Sequence, residues 1–323
     1  MAAFILRRLG QAVLVMLAVG LIAFALFRFV GDPVLFMLGQ DATPEDRARI
    51  TKSLGLDRPF YVQYATFIGN ALHGDFGFSL RQVRPVSALL VERLPATLEL
   101  SFMAALFALA GGIPMGVYTA LRRKSWLSHA ILALSLIGVS LPTFLIGILL
   151  ILVFSVQLGW LPSFGRGDTV QLGWWSTGLL TVSGLKALVL PSITLGLFQM
   201  TLIQRLVRSE MLEVLRADYI RFARARGLSD RAIHFGHALK NTLVPVITIT
   251  GLQLGAIIAF AIITETVFQW PGMGLLFIQA VSFADIPVMA AYLCLIGLFF
   301  VIINLAVDLL YYAVDPRLRV QPL

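Results

Sequence analysis

Six long apolar stretches divide the chain into segments of membrane-spanning size. A helix needs about 20 apolar residues to cross the hydrocarbon core of a bilayer. The first stretch is longer than the apolar core of a typical signal peptide, and no cleavage site of small residues follows it. The pattern predicts an all-α integral membrane protein with six transmembrane helices at Leu9–Phe27, Leu100–Ala120, Ala130–Leu158, Ala187–Ile203, Leu243–Ile263 and Pro287–Val307.

The charges between these stretches predict the orientation. If the N-terminus is cytoplasmic, the inner segments together carry fifteen Lys and Arg, whereas the short outer loop after the third span carries only Arg166 and Lys186. Counting the segment Thr169–Leu185 as a seventh span would place the arginine-rich loop on the wrong side. This segment is rich in Gly, Ser, Thr and Trp, so we interpret it as an interfacial loop with Trp174 and Trp175 at headgroup level. Both termini are therefore expected in the cytoplasm.

A large extracytoplasmic loop is predicted between the first two helices, from Gly31 to about Pro95. It carries seven basic and seven acidic residues, and a short helix is expected in which Thr43 is the cap, Pro44 is the first residue and Gly55 ends the run. Long structureless loops are uncommon in compact proteins, so we expect a folded docking surface. The predicted divisions are residues 1–95 (first helix and outer loop), 96–314 (a five-helix core) and 315–323 (a cytoplasmic tail).

Composition supports a membrane protein and limits the chemistry. The chain is 59% hydrophobic and only 13% charged, with a mean hydropathy of +0.88. In such a chain a net charge of +8 favours cytoplasmic loops and anionic lipid over nucleic acid as the partner of the basic residues. The single cysteine, Cys294, excludes an intramolecular disulfide, and no metal is expected at the scattered histidines, including His234 and His237.

The loop before the fifth span is unusually basic, with Arg216, Arg221, Arg224 and Arg226 close together. The apolar residues of this loop recur at helical spacing, which predicts an amphipathic helix with a stripe made of Leu212, Leu215, Tyr219, Phe222 and Ala223.

A second cytoplasmic helix is predicted to follow. Gly227 is expected to end the first helix and Ser229 or Asp230 to cap the next, before Pro245 opens the fifth span. The apolar stripe of this second helix consists of Ala232, Phe235 and Leu239.

Two interpretations of this helix–turn–helix segment are open. A basic amphipathic pair can lie flat on anionic lipid. The small residues Ala223, Ala225 and Gly227 favour the alternative, because a compact corner between two helices suits insertion into a partner protein.

The segment Asp218–Thr248 resembles the EAA loop of permease subunits of ATP-binding-cassette (ABC) importers, in the form of the dipeptide/oligopeptide/nickel family. The resemblance to the B-type subunit of that family covers essentially the whole chain. It is carried in order by "FILRRLGQAVLVM", "LGLDRPFYVQYATFIGNALHGDFGFSL", "ERLPATLELS", "GVSLPTFLIGILLI", "DYIRFARARGLSDRAIHFGHALKNTLVPVIT", "TETVFQWPGMGLLFIQAV" and "DLLYYAVDPRLR".

The resemblance implies the type I ABC importer permease fold, with a coupling loop at about 210–243 seated in a groove of a cytoplasmic ATPase. Arg221, Phe222 and Ala223 stand where the short consensus has Glu-Ala-Ala, so Arg221 does not inherit the role of the glutamate. Apolar and small residues are expected to fill the groove while arginines pair with acidic residues at its rim. The implied coupling residues are Asp218, Tyr219, Arg221, Phe222, Ala223, Arg224, Gly227, His237 and Pro245.

The partners are likewise implied by the resemblance. They are a second, homologous permease subunit forming a heterodimer, two ATPase subunits that carry ATP and Mg²⁺, and an extracytoplasmic peptide-binding protein, all serving a bacterial cytoplasmic membrane. This chain is expected to bind no cofactor and to catalyse no reaction, since it contains no G-x-x-x-x-G-K-[ST] motif. The implied cargo is a di- or oligopeptide. Import of nickel or glutathione, a secondary transporter and a membrane-embedded enzyme are the alternatives.

The substrate path has weak sequence signals. Few charges fall within the spans, which argues against proton-coupled transport. Helix breaks at Pro114 and Pro142 are expected to line a cavity. Ser140, Pro142 and Gln253 are therefore candidate path residues, with ordinary helix packing as the alternative for each.

Overall fold

The computed structural model describes residues 2–29, 43–53, 57–79 and 81–314, and within them the chain is predominantly helical. Two π-helical segments lie among these residues, at Ile151–Gln157 and Ala232–Ala238. In chain order the helices are α1 Ala2–Phe29, α2 Pro44–Ser53, α3 Phe60–Leu72, α4 Val86–Leu121, α5 Trp126–Ser140, α6 Thr143–Leu150, α7 Val182–Val214, α8 Asp218–Ala225, α9 Leu239–Val267, α10 Met273–Ser282 and α11 Ile286–Val314.

Four short strands in the described parts of the chain depart from the all-α prediction. β1 Phe78–Ser79 pairs antiparallel with β2 Arg84–Pro85, and β3 Val170–Leu172 pairs with β4 Trp175–Thr177. Strands of two or three residues are too short to produce an alternating pattern, so hydropathy does not predict them. The second hairpin includes Trp175 from the predicted interfacial loop.

The predicted short helix in the first loop is present and begins at Pro44, as expected for a proline at the first helical position. Its predicted end at Gly55 lies outside the described residues, as do residues 30–42 of the same loop and the tail 315–323.

Within the described residues, four helices are long and apolar enough to cross a membrane, and two bent helix pairs raise the number to six if each pair is one span. The third predicted span is one of these pairs, because α5 and the segment Thr143–Gln157 meet at 112°. The helix break predicted at Pro142 is therefore confirmed, and it divides the predicted span Ala130–Leu158 into two arms. The cause lies in the sequence, since Pro142 restricts Leu141 to an extended conformation (φ −94°, ψ 140°).

Prolines elsewhere do not interrupt the helices. Pro114 lies inside the 36-residue α4 and Pro191 inside the 33-residue α7. The break predicted at Pro114 is wrong, because membrane helices tolerate a proline where neighbouring helices hold the backbone in place. Here Gly112 and Gly116, on either side of Pro114, pack directly against α7.

The chain forms two compact units, and α4 and α11 each contribute to both. The first unit comprises Met1–Thr97, Gln171–Ser176 and Pro271–Ile302. Its largest apolar cluster joins the start of α4 to α10 and α11, and Thr97 Oγ1 accepts a 2.8 Å hydrogen bond from the Met273 N–H at the beginning of α10. A smaller cluster includes Cys294, which is buried.

The second unit comprises Leu98–Val170, Thr177–Trp270 and Ile303–Leu323. Its core runs from the membrane helices to the arginine-rich segment. Side chains of α4 and α7 pack in one cluster with Ile220 and Ala223 of α8, Ile233 of the π-helical segment and Val246 of α9. This cluster fixes the position of α8 and the turn that follows it.

Candidate functional site

The arginine-rich segment begins with a sharp change of direction. α7 ends at Val214, and Ala217 is extended (φ −65°, ψ 148°) before α8 starts at Asp218. An acidic residue in the first turn of a helix and a basic residue in the last turn both suit the helix dipole. Asp218 and Arg224 occupy these positions, and Asp218 also accepts a 3.3 Å hydrogen bond from exposed Arg221.

Gly227 ends α8 as predicted. Its φ of +82° is in the left-handed region, and its N–H donates to the Arg224 carbonyl. The Leu228 N–H donates to the Ala223 carbonyl, so the two bonds together form a Schellman motif. A Cβ added at Gly227 would meet no atom within 4 Å, which leaves the outer side of the turn open.

The second helix of the arginine-rich segment is continuous with the fifth span. Ser229 caps it, since its Oγ accepts from the Ala232 N–H at 3.4 Å and its carbonyl accepts from the Ile233 N–H. The π-helical segment then passes into α9 without a break, and Pro245 lies inside α9. Pro245 as the start of the span is therefore wrong. The helix begins earlier because Ser229 satisfies its end and the side chains of Ile233 and Ala238 are buried.

The face of α8 that packs inward differs from the predicted stripe. Ile220 is fully buried and Ala223 is 8% exposed, whereas Tyr219 is 46% and Phe222 is 64% exposed. Ala223 therefore packs within this chain and not in a partner. Leu212, Leu215 and Ala223 of the predicted stripe pack in or against the core, but the stripe was wrong at Tyr219 and Phe222. It carried the helical period of α7 across the break at Ala217, where the register is lost.

The exposed side of the turn combines aromatic and basic groups. We call this surface the corner and define it by Tyr219, Phe222, Arg224, Gly227, Leu228 and Phe235, all of which are exposed. Exposed Arg226 lies beside it, with its guanidinium 5.7 Å from the centre of the Phe222 ring. Large exposed apolar groups with arginines between them are typical of a surface that binds a protein.

A side-chain bridge holds the two arms of the corner together. Asn241 Nδ2 donates to Tyr219 Oη at 2.9 Å and to the His237 carbonyl at 3.1 Å. Of the predicted coupling residues, the structure thus brings Tyr219 and His237 together and pairs Asp218 with Arg221. Pro245 lies farther along α9.

The candidate path residues occupy two helix irregularities in the second unit. Ser140 ends α5 and Pro142 precedes α6 at the 112° bend. Gln253 starts the second arm of the other bent pair, in which Ala232–Gly251 and Gln253–Val267 meet at 43°. Ser140 is exposed and Gln253 is half-buried.

Sequence reasoning missed a buried ion pair. Arg166 Nη2 lies 2.6 Å from Glu99 Oε2, and the two side chains are only 7% and 3% exposed. The Gly178 N–H also donates to Glu99, at 3.3 Å. Glu99 itself could have predicted this pair, because a carboxylate next to an apolar membrane span is expected to pair with a basic residue when it is buried.

A predominantly helical chain with up to six crossings, bent helices and an exposed basic corner defines the class of multi-spanning membrane proteins. Within that class, the model for the binding-protein-dependent transport system inner membrane component matches residues 112–320, and that for the N-terminal part of such membrane components matches residues 1–101. The chain belongs to this family and is an ABC importer permease of the peptide group.

Full-length relatives support this assignment. The di/tripeptide transport system permease protein DppB of Pseudomonas aeruginosa (strain UCBPP-PA14) is 42% identical over 99% of this chain and 100% of its own length. The dipeptide transport system permease protein DppB of Escherichia coli (strain K12) is 40% identical over 99% of each chain.

A solved structure supports the fold. A chain of the MetNI methionine ABC transporter, in an inward-facing conformation, is 21% identical with a TM-score of 0.56, and the match covers 70% of this chain and 96% of that one. At this level of sequence identity, the similarity shows a shared fold.

Proposed function

We propose that this chain is a transmembrane subunit of an ATP-driven, binding-protein-dependent importer of di- and oligopeptides in a bacterial inner membrane. It forms half of the translocation channel with a second, homologous permease subunit. Two separate ATPase subunits bind ATP and Mg²⁺, and a peptide-binding protein docks on the extracytoplasmic side at the loop that begins at Gly31. The names of the full-length relatives support the peptide cargo.

The observation that carries the coupling role is the division of α8 into two faces. Ile220 and Ala223 anchor the helix in the core of the second unit, and Tyr219 and Phe222 point away from it. A helix that only filled space in this chain would not leave its two aromatic side chains exposed. In protein interfaces such aromatic groups are the usual anchors, and surrounding arginines steer and orient docking.

The corner is also suited to transmit force. Its turn is closed by the two Schellman bonds, its arms are bridged by Asn241, and its second arm is continuous with α9. In this mechanism the ATPase groove receives Tyr219, Phe222 and Gly227, while Arg221 and Arg224 pair with acidic residues at the rim. ATP-driven movement of the ATPase then shifts α9 and its neighbours.

Gly227→Trp tests this assignment. The open space outside the turn means that the indole fits in this chain but blocks a groove. We expect normal amounts of the variant in the membrane, at least a tenfold loss of co-purified ATPase, and loss of ATP-dependent dipeptide uptake.

Gly74→Trp is the matched control. Gly74 closes a second Schellman motif after α3, with φ +75° and no atom within 4 Å of an added Cβ, so the backbone strain and the added bulk are the same. It should retain the ATPase. Wild-type uptake and ATPase retention by Gly227→Trp would overturn the coupling role. ATP-dependent uptake of nickel or glutathione in place of dipeptides would overturn the cargo alone.

A further inference from the structure

A polar pocket in the first unit has a composition that the membrane-spanning role does not require. Its volume is about 310 Å³, within the usual size of small-ligand sites of about 300–1,000 Å³. It lies between the loop that joins β1 to β2, the start of α4, helix α10 and the first turn of α11. We call it the Asp285 pocket, and the lining residues that matter here are Arg81, Arg93, Gln279, Phe283 and Asp285.

Asp285 is held in place with one oxygen unused. The residue is 6% exposed, and its Oδ2 accepts a hydrogen bond from the fully buried Ser79 hydroxyl. The Ser79 oxygen in turn accepts from the Gln82 N–H at 3.1 Å, which fixes its orientation. Among the described residues, the buried Asp285 Oδ1 has no hydrogen-bond partner. A buried carboxylate oxygen without a donor is costly, so this atom is an acceptor prepared for a ligand.

Two cations line the same pocket. The Arg81 guanidinium stacks on the Phe283 ring, with its carbon 3.9 Å from the ring centre. Stacking uses the face of the guanidinium and leaves the N–H groups at its edge available for a carboxylate. Arg93, on the first part of α4, is half-buried. The pocket therefore presents donors for an anion and an acceptor for a cation within one small volume.

We infer that the Asp285 pocket binds the zwitterionic main chain of a short peptide. The ligand ammonium donates to Asp285 Oδ1, and the ligand carboxylate accepts from Arg81 and Arg93. A simple anion would not satisfy Asp285, and a simple cation would not satisfy the arginines. The inference rests on the proposed peptide function and adds a peptide site on this chain. With the orientation predicted by the charges, the pocket opens on the extracytoplasmic side.

The test is a binding titration with the full chain, purified with the subunits that accompany it and placed in lipid nanodiscs without ATP or binding protein. Dialanine is compared with N-acetyl-dialanine, which lacks the ammonium, and with dialanine amide, which lacks the carboxylate. We expect dialanine to bind and each blocked form to bind at least about tenfold more weakly, as for loss of one charge-assisted contact.

Variants assign each contact. Asp285→Asn should bind dialanine and N-acetyl-dialanine with similar affinity, because the contact to the ligand ammonium is lost. Arg93→Gln should bind dialanine and dialanine amide with similar affinity, because a contact to the ligand carboxylate is lost. Arg84→Gln is the control, since Arg84 is exposed on the neighbouring strand, pairs with Glu92 and does not line the pocket. Because Arg93 is only half-buried, its variant also provides a test if Asp285→Asn fails to fold.

Equal binding of the three ligands, no binding of dialanine, or wild-type affinities in a folded Arg93→Gln protein would overturn the inference. Those results would leave the proposed function standing if ATP-driven dipeptide uptake persists. Uptake of nickel or glutathione in place of dipeptides would instead mark failure of the proposed cargo.

Discussion

Glu99 and Arg166 form a deeply buried ion pair, which joins the first half of α4 to the chain before β3. The carboxylate also accepts from the Gly178 N–H, so it holds two segments of the connection between α6 and α7. Buried pairs of this kind contribute little net energy when they are intact, but they are costly to break, because the remaining charge is left in a poorly solvated site.

Arg166→Met should therefore destabilise the protein strongly. We expect the free energy of unfolding in detergent to fall by about 3–5 kcal/mol, because the buried Glu99 carboxylate loses its ion pair with Arg166. Arg84→Met removes the exposed pair with Glu92, whose side chains are 48% and 50% exposed, and should cost less than about 1 kcal/mol. Thermal or denaturant unfolding of the two variants is the measurement. Equal losses of unfolding free energy in the two variants would contradict the larger cost expected for breaking a buried ion pair.

Single residues of the arginine-rich segment show how far sequence could predict the site. Gly227 and Ser229 were correctly placed, because glycine after a helix and serine before one act through local backbone bonds. The inward position of Ala223 and Ile220 was not predicted. Which face of a short helix is buried depends on the direction in which the chain leaves α7, and this direction is set by packing in three dimensions.

At the scale of elements, α4 and α7 pack through glycines. A Cβ on Gly112 would lie 2.9 Å from the Met200 carbonyl oxygen, and one on Gly116 would lie 2.8 Å from that of Gln204. The two glycines are four residues apart, the spacing that lets membrane helices approach closely. The sequence "GGIPMG" thus has a packing role.

Alanine at Gly116 should push these helices apart. The added methyl meets backbone and Val207, so we expect a loss of about 1–3 kcal/mol in the free energy of unfolding. Gly10→Ala is the control on another membrane helix. It has no atom within 4 Å and should be neutral or stabilising by about 0.5–1 kcal/mol, because alanine favours the helix. Unfolding in the same detergent measures both, and effects of the same sign and size would argue against close packing.

The positions of most helices followed from hydropathy, but their ends and bends did not. α4 begins at Val86, well before the predicted span at Leu100, because polar and apolar residues alike continue the helix outside the apolar window. The third span bends at Pro142, whereas Pro114 and Pro245 lie in continuous helices. A proline permits a bend in a helix, and whether the bend occurs depends on how the neighbouring helices pack against it.

At the scale of the whole molecule, the predicted orientation places α3 and the corner on opposite sides of the membrane. Leu72 at the end of α3 is 81% exposed and Leu228 in the corner is 40% exposed, so both accept a cysteine without loss of packing. Cys294 is the only native thiol and is buried, which makes Cys294→Ala a suitable background.

In that background, a membrane-impermeant maleimide should label Leu72→Cys in intact spheroplasts and Leu228→Cys only in inverted vesicles. The expectation follows from the basic residues around the corner, which favour the cytoplasm. Labelling is read by the mass shift of the purified chain. Both cysteines reacting from one side would show that the positive charges do not set the topology as predicted.

The uninterrupted path from Ser229 through the π-helical segment into α9 has a mechanical consequence. A loop at this place would absorb a displacement by rotating a few backbone dihedrals. A hydrogen-bonded helix resists such rotation, so under the proposed coupling role a displacement of the turn at Gly227 is carried along the helix to the 43° bend beside Gln253. The bend is then the first point after Gly227 at which movement along the helix axis can change direction and displace the second arm of α9 laterally.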